Sequence, residues 1–200
     1  MDWDLQPTLA GALVTLEPLS RGHRDELFAA AQPPEIWEYW PMVVGADAAA
    51  FDHWFEDALA GRDDGFHFST IWRPTGELIG STSFCTVREE DRGIEIGWTW
   101  ITPRFWGTGA NTEAKLLQLQ YAFEPLRCIR VEWDTYADNA RSRAALEALG
   151  AKLDGVWRNY NVRPADGSVH DSAFYSVIDS EWPAVKQNLR ARVTHALPRR

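Results

Sequence analysis

Cysteine is nearly absent from this 200-residue chain. The two residues present, Cys85 and Cys128, each sit inside an apolar run with no second cysteine or histidine at metal-ligand spacing. A disulfide-rich scaffold is thereby excluded, and both thiols read as small buried hydrophobes. The five histidines, His23, His53, His67, His170 and His195, form no HxxxH or HxH arrangement, so no metal is expected. Positive charge is also scarce. Twenty Lys and Arg against 29 Asp and Glu leave a formal charge of −9. Neutralising phosphates takes a concentrated basic face, so no nucleic-acid partner is expected, while cationic substrates are welcome. Arg190, Arg192, Arg199 and Arg200 do cluster, and read as the frayed basic end of a C-terminal helix. No apolar run approaches the ~20 residues that cross a bilayer, and no signal peptide precedes Pro18. No membrane partner is expected, and a reduced cytoplasm is the expected compartment.

Tryptophan, in contrast, is abundant. Eleven residues exceed what packing needs, which places some indoles along a cleft. The chain is read as a single domain over 1–200, with a core from about 12 to 182 and a C-terminal helix from about 180 to 197. "ALVTLEPL", residues 12–19, alternates as a half-buried strand does, and Ser20 would cap a helix carrying Leu27, Phe28 and Ala31. "PPEIWEYWP", Pro33 to Pro41, joins it to a second helical stretch, Ala48 to Leu59.

From Phe66 the period changes to two. "FHFSTIW", "GELIGSTSFCTV" and "RGIEIGWTWI" predict three antiparallel strands. In the last, Ile94, Ile96, Trp98 and Trp100 would face one way and Glu95, Gly97, Thr99 and Ile101 the other. A helix follows over Ala110 to Phe123, then the strand "CIRVEWDTY", then a short helix capped by Asn139 and closed by Gly150. Two strands, near 151–162 and 169–178, flank a turn from Pro164 to Gly167, and a final helix begins around Ser180. Meander and crossovers together predict an α+β, mixed α/β fold, its central sheet flanked by helices.

The junction "RFWGTGANTEAK", residues 104–115, is where chemistry enters. A helix start presents unpaired N–H groups and the positive end of its dipole, and Gly107 and Gly109 let an anion approach that backbone, with the Thr112 hydroxyl beside it. A tight turn that binds nothing would use the same glycines. The dinucleotide fingerprint would need a third glycine where Thr112 stands, and the GK[ST] of a P-loop is absent, so neither NAD nor ATP is favoured.

Arg104-Phe-Trp-Gly107-Thr-Gly109 resembles the R/Q-x-x-G-x-G/A pattern of the GNAT acyltransferase superfamily, and "TEA" at Thr112 to Ala114 is how that helix often continues. "NARSRAALEALGAKLDG", Asn139 to Gly155, looks like its second cofactor segment with an N-x-x-S helix start. "LVTLEPLSRGHRDELF" and "SAFYSVIDSEW" are similar to the branch holding the ribosomal-protein N-terminal acetyltransferases, the RimJ/RimL type. Departures fall at Ala110 and Asn111, where an aromatic and then a small residue are more usual. The resemblance implies a mostly antiparallel sheet of about seven strands and acetyl-CoA as cosubstrate without a metal. Its pyrophosphate would lie on the amides from Trp106 to Ala110, which include Gly107, Thr108 and Gly109. Arg104, Asn111 and Thr112 would assist. Main chain at Thr99 and Ile101, flanking a bulge centred on Trp100, would pair with the pantetheine arm, and Asn139 would contact it. A homodimer is common among such proteins.

Amine acylation needs a neutral amine. At pH 7 deprotonation costs ~4.6 kcal/mol for a lysine-like amine and about 1 kcal/mol for an α-amino group. Glu95, on the face that would hold the acyl arm, is the first candidate for the base, ahead of Asp171 and Glu132. A rim carboxylate paired with arginine is its alternative reading. The resemblance gives Ser142 to the departing thiolate, with Tyr136 and Tyr160 as substitutes. Trp37, Tyr39 and Trp40 are expected to wall the acceptor pocket, where aromatic faces suit a cation; core packing would explain the same residues. Together these point to an N-acyltransferase moving an acetyl group from acetyl-CoA to a primary amine by direct attack in a ternary complex. A succinyl or other acyl donor, or a non-catalytic acyl-CoA-binding sensor or assembly module, are the alternatives.

Overall fold

The computed structural model describes residues 3–40, 44–45, 47–62, 64–163 and 166–197, so Pro41, Pro164, Arg199 and Arg200 lie outside the described residues. In chain order the elements are β1 (Leu9–Ala10), β2 (Val14–Pro18), α1 (Arg24–Ala30), α2 (Ala48–Ala60), β3 (Phe66–Trp72), β4 (Glu77–Arg88), β5 (Gly93–Ile101), α3 (Ala110–Phe123), β6 (Arg130–Tyr136), α4 (Ala140–Leu149), β7 (Lys152–Val162), β8 (Val169–Ile178) and α5 (Trp182–Ala196). Local chemistry sets several boundaries. The Asp47 side chain accepts from the amides of Ala49 and Ala50 at the start of α2, and Gly61 ends it in the left-handed region at φ 62°. Asn139 and Gly150 do the same for α4, with φ 107° at the glycine.

One eight-stranded sheet runs β1-β2-β3-β4-β5-β6-β8-β7. All neighbours are antiparallel except β5 and β6. The strand beyond the expected seven is β1, two residues long and too short for alternation to reveal. Each sheet face carries its own core. α3, α4 and α5 cover an aliphatic-rich one containing Leu13, Ile94, Ile96, Leu119, Tyr175 and Leu189, and α1 and α2 cover an aromatic one built on Trp37, Phe51, Trp54, Phe55 and Trp100.

α3 buries polar residues that its apolar spacing did not announce: Glu113, Lys115 and Gln118. The Glu113 carboxylate accepts the amides of Ala12, Leu13 and Val14 at 2.8, 2.6 and 2.7 Å, which ties the first turn of α3 to the chain entering β2. Lys115 donates to Thr82 Oγ1, Thr99 Oγ1 and Gln118 Oε1 at 2.7, 2.7 and 3.0 Å, beneath β5. Burial pulls its ammonium down to about 7.

The strict alternation read along β5 is broken. Ser81 pairs with Trp100 while Ser83 pairs with Gly97, so β5 carries an extra residue there, and Trp98 sits at φ 49°. The bulge is therefore at Trp98, not Trp100. A bulge exchanges the faces beyond it: Ile94 and Ile96 lie in the aliphatic core, but so does Ile101, while Trp100 lies in the aromatic one.

Candidate active site

β5 and β6 pair only at Gly93–Arg130, Ile94–Val131 and Glu95–Glu132. Beyond Glu95 they part, β5 staying with β4 and β6 with β8. This leaves a wedge in the sheet whose two inner strand edges carry unpaired backbone groups. A cleft of about 720 Å³ opens there, within the usual size of a ligand site.

At the mouth lie Trp106, Gly107, Asn111, Asn139, Arg141 and Ser142. The Thr102 amide donates to Ile79 in β4 at 2.8 Å, so alternation turns the polar groups of Ile101 into the wedge, where its carbonyl accepts the Trp106 indole N–H at 2.7 Å. The first helical bond of α3 runs from the Glu113 amide to the Gly109 carbonyl, which leaves the amides of Asn111 and Thr112 without an intrahelical acceptor. Among the described residues, the amides of Gly107 and Gly109 donate to no backbone acceptor either.

Part of the expected cradle is otherwise engaged. The Trp106 amide donates to Pro103, the Thr108 amide to Phe105 and the Ala110 amide to Thr108 Oγ1. The available donors are thus shifted toward Gly107, Gly109, Asn111 and Thr112, and Trp106 meets the cleft with its side chain. The two glycines differ in kind. Gly109, at φ 91°, leaves no room for a side chain, since a Cβ would stand 2.6 Å from the Ala196 methyl; Gly107, at φ 75°, has open space around it.

Arg104 does not line the cleft. Its guanidinium pairs with Glu77 and lies 4.9 Å from the centre of the Phe105 ring. Asn139 does line it, although its Oδ1 is committed to the Ser142 amide at 3.0 Å as the helix cap. Sequence reasoning missed Arg141. It lines the cleft, stacks over the Trp106 ring at 4.2 Å and reaches the Glu35 carbonyl, bringing a cation beside the free amides. The signal was inside the quoted N-x-x-S segment, as its third residue.

Deeper in, the cleft is lined by Tyr39, Trp40, Glu95, Trp98, Thr99, Asp134 and Tyr136. Thr86 Oγ1 donates to Glu95 Oε2 at 2.7 Å from a second bulge, in β4, where Thr86 has φ 45°. Left-handed backbone at Thr86 and Trp98 is strain of the kind that gathers at working sites. Burial pushes the Glu95 carboxyl up to about 7; the Thr86 hydrogen bond opposes this, and Asp134 and Glu132 reinforce it. A carboxylate of that affinity is suited to taking a proton near neutrality.

The other candidates separate from Glu95. Glu132 is clamped by Arg88 at 2.5 Å and Arg130 at 2.7 Å; burial raises its affinity for a proton, but the two guanidinium groups outweigh it and hold the carboxyl below its usual range. Asp171 lines a separate depression with Arg158 and Asn159 and accepts the Asn159 amide. Tyr160 is exposed and packs on Phe174 and Trp157, away from the cleft. Trp37 is not a pocket wall: it is 4 % exposed, donates to the Ala31 carbonyl and packs on Trp100. Tyr39 and Trp40 do reach the cleft, with the Trp40 and Trp98 rings 5.5 Å apart.

Residues 14–152 match the family model described as an acetyltransferase (GNAT) domain. A solved structure described as a GCN5-related N-acetyltransferase from Brucella melitensis is 33% identical, superposes with a TM-score of 0.88 and covers 96% of this chain and 90% of its own. The FsC-acetyl coenzyme A-N(2)-transacetylase of Aspergillus fumigatus is 26% identical over 196 residues, 88% of this chain and 78% of that protein. Mycobacterium smegmatis RimJ, solved in complex with CoA-disulfide, is 21% identical with a TM-score of 0.75 over 94% of this chain and 91% of its own, a likeness of fold. With the split sheet, the free amides at the mouth and the matched residues in one register, the chain belongs to the GNAT N-acetyltransferase family.

Proposed function

We propose that this protein transfers an acetyl group from acetyl-CoA to a primary amine, as a RimJ/RimL-like member of its family acting through one catalytic unit from about residue 12 to 182. The observation that carries the reading is the wedge that opens between β5 and β6 directly beyond Glu95. A pantetheine arm is a slender chain of amides, and strand edges at Thr99 and Ile101 offer it strand-like pairing. The pyrophosphate fits the amides of Gly107, Gly109, Asn111 and Thr112, with the α3 dipole and Arg141 adding positive potential. Names among the similar proteins support the donor, since one is a CoA-dependent transacetylase and another was solved with a CoA disulfide.

Chemistry then runs along the cleft. The acceptor enters as an ammonium ion, and Glu95 takes one proton from it. The freed amine attacks the thioester carbonyl, forming the C–N bond, and collapse of the tetrahedral intermediate breaks the C–S bond as the nitrogen loses its second proton. CoA thiolate leaves toward Ser142 or Tyr136, both at the cleft wall, and ends as the thiol; the proton on Glu95 returns to solvent. Holding donor and acceptor in line supplies much of the rate. Tyr39, Trp40 and Trp98 offer aromatic faces to the incoming cation.

A panel of amines, peptides with free N-termini and polyamines, each offered with acetyl-CoA and with succinyl-CoA, tests this by release of free thiol. Acetyl transfer to at least one alkyl amine is expected. Donor binding without transfer to any member would favour a sensor role, and absence of donor binding would remove the reading altogether.

A further inference from the structure

A line of polar side chains crosses five neighbouring strands on the cleft side of the sheet. From β4, Thr86 Oγ1 donates to Glu95 of β5. Glu95 faces Asp134 of β6 within hydrogen-bonding reach. Asp134 Oδ2 accepts from Ser172 Oγ of β8 at 3.2 Å, and Ser172 Oγ accepts from Asn161 Nδ2 of β7 at 2.8 Å. Strand order places these five elements side by side.

Two carboxyl groups that meet with no cation between them among the described residues need a reason. The nearby cations are committed elsewhere: Arg88 and Arg130 both bind Glu132, and Arg130 also binds Asp154. Glu95 is otherwise met by Cys85 and Thr86 from β4 and by Glu132 from β6. Asp134 is reachable through the cleft, yet the strands around it desolvate its carboxyl and raise it. Tyr39, Trp40, Trp98 and Tyr136 stand around the same space, where a positive charge would be welcome.

We propose that Asp134, held by Ser172 and Asn161, is a second acidic group of the acceptor site: it shares a proton with Glu95 while the site is empty and becomes the counter-ion of the acceptor once an ammonium enters. The acceptor class is then an alkyl amine that arrives charged, such as a peptide N-terminus, a lysine-like chain or a diamine, and not a weakly basic arylamine that arrives neutral. This rests on the proposed acetyl transfer for its catalytic meaning, but the pairing itself is measurable without turnover. Asp134 thus sets the proton affinity of Glu95 and contacts the bound ammonium, so it belongs to the acceptor site together with Glu95.

The test is a carbon-13 titration of the side-chain carboxyls in the parent protein and in Asp134→Asn, with Glu95→Gln to assign the Glu95 signal. In the parent, Glu95 is expected to titrate at about 7; in Asp134→Asn, loss of the neighbouring negative charge should lower that midpoint by about one unit. Adding 1,4-diaminobutane should lower the parent midpoint further and move the variant less. In kinetics, kcat/KM for an alkyl amine should fall about tenfold in the parent between pH 8 and pH 6 and only about twofold in the variant, as a midpoint of 7 or 6 dictates. The variant's KM for the alkyl amine should rise about tenfold, with the inhibition constant of aniline, which binds without being acylated, and the affinity for CoA unchanged. Ser172→Ala, which frees Asp134 without removing it, should give an intermediate titration. An unmoved Glu95 midpoint in Asp134→Asn overturns the proposal, as does an equal loss of aniline and alkyl-amine binding. If the parent acylates no amine while the midpoint still moves, the pairing stands and the proposed reaction falls.

Discussion

The mouth of the cleft and its depth are made of different materials. At the mouth the donors are backbone amides, at Gly107, Gly109, Asn111 and Thr112, fixed by a helix start and by left-handed glycines. In the depth the lining groups are side chains: Glu95 and Asp134, set by strand pairing and the bulges, and Tyr39 and Trp40, from the connection between α1 and α2. On the proposed reading, backbone suits a donor whose phosphates and amides never change. Side chains suit the partner that does, since an acceptor site is altered by replacing one residue at a time and a backbone cradle is not.

That division makes each half separately breakable. Gly109→Val should have the largest effect. It forces φ 91° on a β-branched residue and drives its Cβ into Ala196 and Leu13. Donor affinity, followed by calorimetry, should drop at least about 100-fold, with a stability loss of about 2–4 kcal/mol. Retained donor affinity would mean the mouth does not depend on its backbone. Glu95→Gln should come next, losing about 10²-fold in kcat/KM at pH 8 while CoA binding is untouched. A matching loss in donor affinity would dissolve the distinction between the two ends.

The same residue sharpens the contrast through pH. Its folded-state value, about 7, lies above the ordinary 4.5 of a glutamate, so its protonated form favours the folded state at low pH, and that contribution is lost as pH rises from about 4.5 through 7. Glu95→Gln should therefore unfold at higher denaturant than the parent at pH 8, by about 2 kcal/mol, and by much less at pH 4.5. Equal stability at both values would show that Glu95 is not strained by its surroundings. Trp40→Ala should raise the acceptor KM roughly fivefold with kcat nearly kept, by removing an aromatic face from the cation's path. Ser142→Ala should be smallest, a loss of about two- to fivefold in kcat, because Tyr136 and solvent also reach the departing thiolate.

The same division explains what the sequence made legible. Helix α3 was read from Ala110 to Phe123 and is found there, because caps, glycines and apolar spacing are local signals. The element order was legible for the same reason. The depth of the cleft was not. Thr86, Glu95, Asp134, Ser172 and Asn161 meet only through pairing of β4, β5, β6, β8 and β7, and no local pattern carries that. The bulge was expected at Trp100 and lies at Trp98, because the run Trp98-Thr99-Trp100 repeats the same residue two places apart and gives no local mark of where the extra residue sits. Trp37 was placed on the pocket wall by its neighbours in sequence, yet the aromatic core claimed it. Arg104 follows the motif by position, but its partner Glu77 comes from the start of β4, distant in sequence.

The divergence of β5 and β6 also bears on solubility. Bare strand borders ordinarily invite a second protein molecule to add its own strand, the first step toward insoluble assemblies. Here the two borders converge on Glu95 and Glu132, so an intruding sheet, which brings neighbours on both sides, has nowhere to put them. At this place the fold leaves backbone open to a slender chain and closes it to a sheet.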